Sequence, residues 1–232
     1  MRTDDFPDVR RLPLFSGMDD TTFAGLMRGA YLQNFPARVQ LISEGDPADF
    51  LFVMVDGRAE LYASWAGRET TMDMVGPEGT FILAAVLKEA SHLMSARTFE
   101  KSRILMIPAG DVRTAFERDD TFARALVIEL ARCYRVMVKS QKNLKLRSGV
   151  ERLAACLLKL NRAQGETGTV ALPVDKRTLA ALLGMTPENL SRAFGTLKPY
   201  GVLVQGAAVT LSDVPGLETL AKPTPLIDDE TE

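Results

Sequence analysis

Glu188, Ser191 and Arg192 are spaced i, i+3, i+4, which on a helix puts a carboxylate, a hydroxyl and a guanidinium on one face. An arginine can donate two hydrogen bonds to the major-groove edge of guanine, and a glutamate can accept one from cytosine. Such a face could read base edges, provided that a scaffold holds it outward. The flanking residues supply one. Leu179, Leu182 and Leu183 form the apolar face of a short first helix. Gly184 follows where a helix C-terminus favours a left-handed residue, Thr186 is an N-cap, and Pro187 suits the first helical position. Leu190, Phe194 and Leu197 then face inward at i, i+4, i+7. The pattern is that of a helix-turn-helix whose second helix presents polar residues near its N-terminus, as a recognition helix does. Two amphipathic helices that merely pack, with Glu188 and Arg192 as a solvated pair, would look the same locally. The residues that follow favour the first reading: Val202 to Gln205, Gly206-Ala207 and Ala208 to Leu211 read as a β-hairpin, the wing of a winged DNA-binding domain.

Charge is distributed accordingly. The formal net charge of the whole chain is −2, yet the stretch 139–200 holds 11 Lys and Arg against 4 Asp and Glu. A basic module that meets phosphates is thus joined to an acidic one that does not. The N-terminal residues Met1 to Arg11 have no apolar signal core and no apolar run is long enough to cross a bilayer, so a cytoplasmic protein without membrane contact is expected. Cys133 and Cys156 are far apart, and with a single histidine no metal site is expected. No nucleophile–base pair or phosphate-binding loop marks an enzyme, and no catalytic residue is assigned.

The elements that must carry the reading helix precede it. From about Tyr31 to Ile107, short alternating apolar runs are broken by turns such as Asp56-Gly57, which argues for a small antiparallel barrel or roll. A short helix, Thr21 to Arg28, precedes it. From Thr121 to Leu146 no glycine or proline interrupts a long helix, along which Leu126, Leu130, Cys133, Met137, Ser140 and Leu144 recur at 4-3-4-3-4 spacing. This is the seam of a two-stranded coiled coil and predicts a homodimer, although one face must also pack on the chain's own roll. Arg147-Ser148-Gly149 reads as a hinge before the next helix, and the proline-containing, acidic segment 222–232 reads as disordered.

In this order of parts the sequence resembles the CRP/FNR family of bacterial transcription regulators. The resemblance covers roughly Leu14 to Asp213 and is carried by Glu44-Gly45-Asp46, Asp56-Gly57, Glu151-Arg152-Leu153-Ala154 and the run from Leu183 to Arg192. The tail from Pro223 to Asp229 points, within the family, to the FtrB-type branch. The implied fold is α+β: an antiparallel β-roll of the cyclic-nucleotide-binding type (1–118), a dimerisation helix and hinge (119–147), a winged helix-turn-helix (148–221) and the tail (222–232). Double-stranded DNA, a second copy of the chain and RNA polymerase are the implied partners. Glu188, Ser191 and Arg192 match the base-reading positions, while Lys176, Arg177 and Thr186 match positions that hold phosphates without specifying sequence. Ser191 places the chain with the E-x-x-S-R readers, and Pro187 stands where other members carry an additional arginine, which implies an inverted repeat of TTGAT-like half-sites.

The resemblance breaks down at the effector. Members that bind cyclic nucleotides hold the ribose with a glycine–glutamate pair and the phosphate with an arginine–serine pair. Aligned without gaps, this chain offers Leu83 and Ala84, then Met94 and Ser95. Without those charges a nucleotide loses its charge-assisted bonds, so control by cAMP is not expected. The cassette Phe81 to Leu87 is apolar instead, and Phe81, Leu83 and Ala84 within it, with His92, Met94 and Ser95, outline an effector pocket. His92 or Met94 could ligate haem iron, making a haem or small-molecule gas or redox sensor the first alternative; an ordinary loop histidine is the competing reading, and no resident cofactor is assigned. The first 30 residues lack cysteine, so an FNR-type oxygen sensor is not expected. Cys133 on the seam could cross-link two copies, or simply be a small buried hydrophobe. A second alternative, of another class, is a cyclic-nucleotide module that regulates a protein partner.

Overall fold

The structure, a computed structural model, describes residues 6–229, so the outermost parts of the expected roll domain and of the tail lie outside the described residues. The chain divides into two units, 1–133 and 134–232, whose boundary falls inside one long helix.

In the first unit, α1 (Phe6–Arg10) and α2 (Asp20–Gly29) lead into two four-stranded antiparallel sheets. One sheet has the order β1 (Tyr31–Phe35), β8 (Ser102–Pro108), β3 (Phe50–Asp56), β6 (Thr80–Phe81). The other has the order β2 (Gln40–Ile42), β7 (Ser95–Thr98), β4 (Ala59–Trp65), β5 (Arg68–Val75). Strand β3 explains the uninterrupted apolar run in the sequence. Phe52 and Met54 point between the sheets, while Leu51 and Val53 point to the other side, where helices cover the first sheet. A strand buried on both faces has no polar face to alternate with.

The covering helices are α1, α2, α3 (Leu83–Lys88), α4 (Ala109–Arg118) and the start of α5 (Asp120–Leu146). Between α4 and α5 stands Asp119, which is buried. Its carboxylate accepts from the backbone N–H groups of Thr121 (3.0 Å) and Phe122 (2.9 Å), capping α5, and from that of Asp19 (2.8 Å), the N-cap of α2. One side chain thus sets the start of the long helix against the start of α2.

The direction of that helix's inner face corrects part of the expected seam. Leu126 is fully buried in the core of its own roll, and Leu130 packs against the same core. Cys133 directs its thiol at Glu129 Oε1, 3.9 Å away, and Glu129 accepts from Thr80 Oγ1 at 2.9 Å. The exposed apolar residues of α5 include Val127, Ile128, Tyr134, Met137, Val138 and Leu144. The apolar spacing was legible, but the roll takes the Leu126 face for itself.

In the second unit, two residues separate the end of α5 from α6 (Gly149–Ala163). Ser148 and Glu151 form a reciprocal capping box there, at 3.3 Å and 2.7 Å. A short strand, β9 (Thr169–Ala171), precedes α7 (Lys176–Leu182) and α8 (Pro187–Leu197). The hairpin β10 (Val202–Gln205) and β11 (Ala208–Leu211) pairs with β9 into a three-stranded antiparallel sheet of order β10-β11-β9, followed by α9 (Val214–Ala221), which packs on α6. Within the tail, α10 (Pro225–Asp228) is tied to Arg147, just after α5, by a largely buried ion pair with Asp228, and to α5 itself by Lys142 Nζ to Leu226 O at 3.2 Å. The tail's remaining residues, 230–232, lie outside the described residues.

Asp119→Ala should leave three backbone N–H groups without their acceptor. Caps and charge-assisted bonds of this kind are each worth about 1–2 kcal/mol, and three that share one carboxylate add less than fully, so a loss of about 2–4 kcal/mol is expected. Urea unfolding should show a lower midpoint with an unchanged m-value; an unchanged midpoint would contradict this role for Asp119.

Candidate nucleic-acid interface

The turn between α7 and α8 is built from local signals. Asp175 caps α7, accepting from Thr178 N at 2.9 Å. At its other end, Gly184 N–H donates to Ala181 O and Met185 N–H to Ala180 O, both at 2.9 Å, which is the Schellman pattern. Gly184 sits at φ 62°, where a side chain is disfavoured, and a Cβ there would lie 2.5 Å from Leu144 Cδ2. Thr186 then accepts from Asn189 N at 3.3 Å, with Pro187 starting the helix.

Helix α8 is held by one face and displays the other. Leu190, Ala193, Phe194 and Leu197 are buried, whereas Glu188, Ser191 and Arg192 are exposed. The first-turn backbone N–H of Glu188 and the Thr186 hydroxyl hold the Glu188 carboxyl below the usual range, and Arg192 adds to the effect. Glu188 is therefore ionised at neutral pH and acts as an acceptor only. The exposed face runs on to Gly195, three residues beyond Arg192, where a Cβ would meet nothing within 4 Å. The i+7 spacing from Glu188 pointed to this opening, although Gly195 was not singled out in the sequence. Lys176, Arg177 and Thr186 are exposed as well, all within the α7–α8 segment. The wing turns at Gly206 (φ 65°), which with Gln205 opposite Ala208 forms the two-residue loop expected of Gly-Ala.

A residue not singled out for any role holds this unit to the long helix. Arg152 donates Nε to Leu183 O at 2.7 Å and Nη2 to Gly184 O at 3.3 Å, in the turn. Its Nη1 donates to Arg147 O at 2.7 Å and to Leu144 O at 3.4 Å, at the end of α5. The last carbonyls of a helix lack partners within it, and here one guanidinium serves both them and the turn. Arg152 was visible only as part of a family-like segment, since nothing in its spacing gives its partners.

The six residues outlined as an effector pocket do not converge. Phe81 and Met94 belong to the apolar cluster between the two sheets, where the Phe81 ring stacks on Phe52 with centroids 5.0 Å apart. Leu83 points the other way, into the core under the helices, and Ala84 is exposed. Ser95 Oγ accepts from Glu44 N at 2.9 Å, forming part of the wall instead of lining a void. His92 is buried. Its backbone pairs with Gly45 and Asp46, and its Nδ1 has no hydrogen-bond partner. Burial lowers its pKa against the opposing pull of Asp46 and Asp49. Arg97, the arginine nearest Met94 and Ser95 in sequence, donates to Glu60 at 2.7 Å and to Glu69 at 2.8 Å, its guanidinium lying over the Tyr62 ring. Among the described residues no group of three or more His, Cys, Asp or Glu could hold a metal, and no helix is long and apolar enough to cross a membrane.

Comparison with known proteins finds two domain matches along the chain. Residues 32–119 match the cyclic nucleotide-binding domain, and residues 151–220 match the Crp-like helix-turn-helix domain. Over 197 residues the chain is 27% identical to an anaerobic regulatory protein of Pasteurella multocida, covering 79% of this chain and 69% of that one. It is equally 27% identical, over 187 residues, to a protein of Lacticaseibacillus casei described as a probable transcriptional regulator, flp, covering 80% and 84% of the two chains. Among solved structures, FixK2 of Bradyrhizobium japonicum superposes with a TM-score of 0.70 at 23% identity, over 84% of this chain and 98% of that one, which shows a shared fold.

Proposed function

Because this chain belongs to the CRP/FNR family of transcription regulators, we propose that it is a homodimeric cytoplasmic regulator reading an inverted repeat of TTGAT-like half-sites. The observation that carries this reading is α8, fixed by Leu190, Phe194 and Leu197 so that Glu188, Ser191 and Arg192 face outward. Arg192 donates to guanine and the ionised Glu188 accepts from cytosine, each worth about 1–3 kcal/mol of discrimination. Ser191 completes the reading face. Lys176, Arg177 and the Thr186 hydroxyl hold phosphates and set the register of the helix in the groove. The protein acts by binding, not by catalysis, and hands its occupancy of the site to RNA polymerase.

The dimer seam keeps the 4-3-4 spacing read from the sequence but is moved on by one residue, about 100° around the helix, to Val127, Ala131, Tyr134 and Val138 with Met137 beside them. These side chains are exposed in the single chain, and a second copy would cover them. The roll does not take cAMP. Its interior is filled by the Phe52–Phe81 stack and its neighbours, and Arg97 is already engaged by two carboxylates. An anionic nucleotide beside Met94 and Ser95 would have to shed water from its phosphate next to an arginine, Arg97, that two carboxylates already hold.

Arg192→Ala should lower the preference for the TTGAT inverted repeat over a scrambled duplex by about 1–3 kcal/mol per half-site, with the dimer and its thermal unfolding unchanged. An unchanged preference would remove Arg192 from the reading set. Lys176→Ala or Arg177→Ala should weaken both duplexes alike and lower the slope of log affinity against log salt by about one, because each phosphate contact releases a counterion. Val138→Glu would place two like charges face to face in an apolar seam and should yield monomers in sedimentation; an unchanged dimer would move the interface elsewhere. Titration calorimetry with cAMP and with cGMP should show no heat of binding, and micromolar affinity for either would overturn this account of the roll.

A further inference from the structure

We infer that the segment after α9 is a strap that positions the reading unit, with Arg147 and Asp228 as its positioning residues. The inference builds on the dimeric reader proposed above. Arg147 is the first residue after α5, and its side chain is only 7% exposed, that of Asp228 14%. A guanidinium so enclosed requires a partner, since an unpaired buried charge costs several kcal/mol. Asp228 meets it with both oxygens, Nη1 to Oδ1 at 2.6 Å and Nη2 to Oδ2 at 2.7 Å, the bidentate geometry that resists rotation. Nη2 also donates to Lys222 O and Nη1 to Asn143 Oδ1, each at 3.2 Å. Asp228 Oδ2 accepts in addition from Thr224 N at 2.7 Å, so the same carboxylate closes the turn of α10.

The attachment extends along the helix. Lys139 Nζ donates to Asp229 O at 2.8 Å and Lys142 Nζ to Leu226 O at 3.2 Å. Lys139, Lys142, Asn143 and Arg147 share one face of the end of α5, at i, i+3, i+4 and i+8. The strap is rooted in α9, which packs on α6. The chain therefore makes a closed circuit: from α5 through the two-residue elbow to α6, on to α9, and back to α5 through Asp228. Arg152 holds the elbow from the side of the turn and the strap holds it from the other. An elbow held on one side only can still pivot. Two reading heads that pivot lose the effective concentration that a fixed geometry gives the second half-site.

A positioning role separates from a merely structural one by what it leaves intact. Two variants of the full-length protein, Asp228→Asn and a deletion of residues 223–232, are compared with the parent on three readouts. The first is the distance distribution between spin labels at Ser140→Cys on α5 and Thr196→Cys on α8, with labelled protomers diluted into unlabelled ones and the native cysteines replaced. The second and third are affinities for a duplex with one TTGAT half-site and for one with two in inverted repeat about one helical turn apart. The expected result is a broadened distance distribution, half-site affinity within twofold of the parent, and at least a fivefold loss on the inverted repeat. An unchanged distribution overturns the inference, as does a parallel loss on both duplexes, which would mark the strap as support for the fold alone. A parent protein that shows no preference for the inverted repeat would count against the dimeric reader, while the distance measurement still decides the strap.

Discussion

The elbow between α5 and α6 depends on one guanidinium. A helix ends with carbonyls that its own backbone cannot satisfy, and here only Arg147 and Ser148 separate α5 from α6. Arg152 supplies donors, reaching Leu144 O and Arg147 O on one side and Leu183 O and Gly184 O on the other. The end of the long helix and the turn of the helix-turn-helix are thereby made into one object. Gly184 is part of the same constraint, because its left-handed conformation and missing side chain let the turn approach Leu144. With the turn fixed, the caps at Thr186 and Pro187 fix the start of α8, and the apolar face of α8 determines which side chains look outward.

The two units divide the electrostatic work. The DNA-facing unit carries the basic stretch, and the outward carboxylate of Glu188 on the reading helix is kept ionised by the helix start. In the roll, charge is turned inward upon itself. Burial alone would raise the Glu60 pKa, yet the bonds from Arg97 and Thr71 outweigh it and hold it low, and Arg97 gains a second carboxylate in Glu69. The roll thus engages Arg97 with two of its own carboxylates and stacks Phe52 on Phe81 between its sheets.

What the sequence revealed follows how local each signal is. The helix-turn-helix was legible because its determinants (Asp175, Gly184, Thr186, Pro187) act within four residues of themselves. The hairpin was legible through Gly206 for the same reason, whereas β9, separated from its partner β11 by two helices, was not seen. The long helix shows the limit most clearly. Periodicity locates an apolar face but not what covers it, and Leu126 and Leu130 on the strongest apolar series are taken by the roll's own core. The tail was read as disordered from its composition, because the partner of Asp228 stands 81 residues earlier and nothing near either residue announces the pair. Adjacency in sequence is a weak guide to a shared site for a related reason: Leu83 and Ala84 are neighbours on a short helix, yet Leu83 is buried in a core and Ala84 is exposed.

The central claim is that a pair of α8 helices reads a two-fold symmetric site through Glu188, Ser191 and Arg192. Selection of duplexes from a random-sequence pool by the intact protein, followed by sequencing of the bound fraction, tests it without presuming a site. The account predicts an inverted repeat with TTGAT-like arms whose centres lie about one helical turn apart. Enrichment of a single unpaired element, of a direct repeat, or of no sequence at all would contradict it.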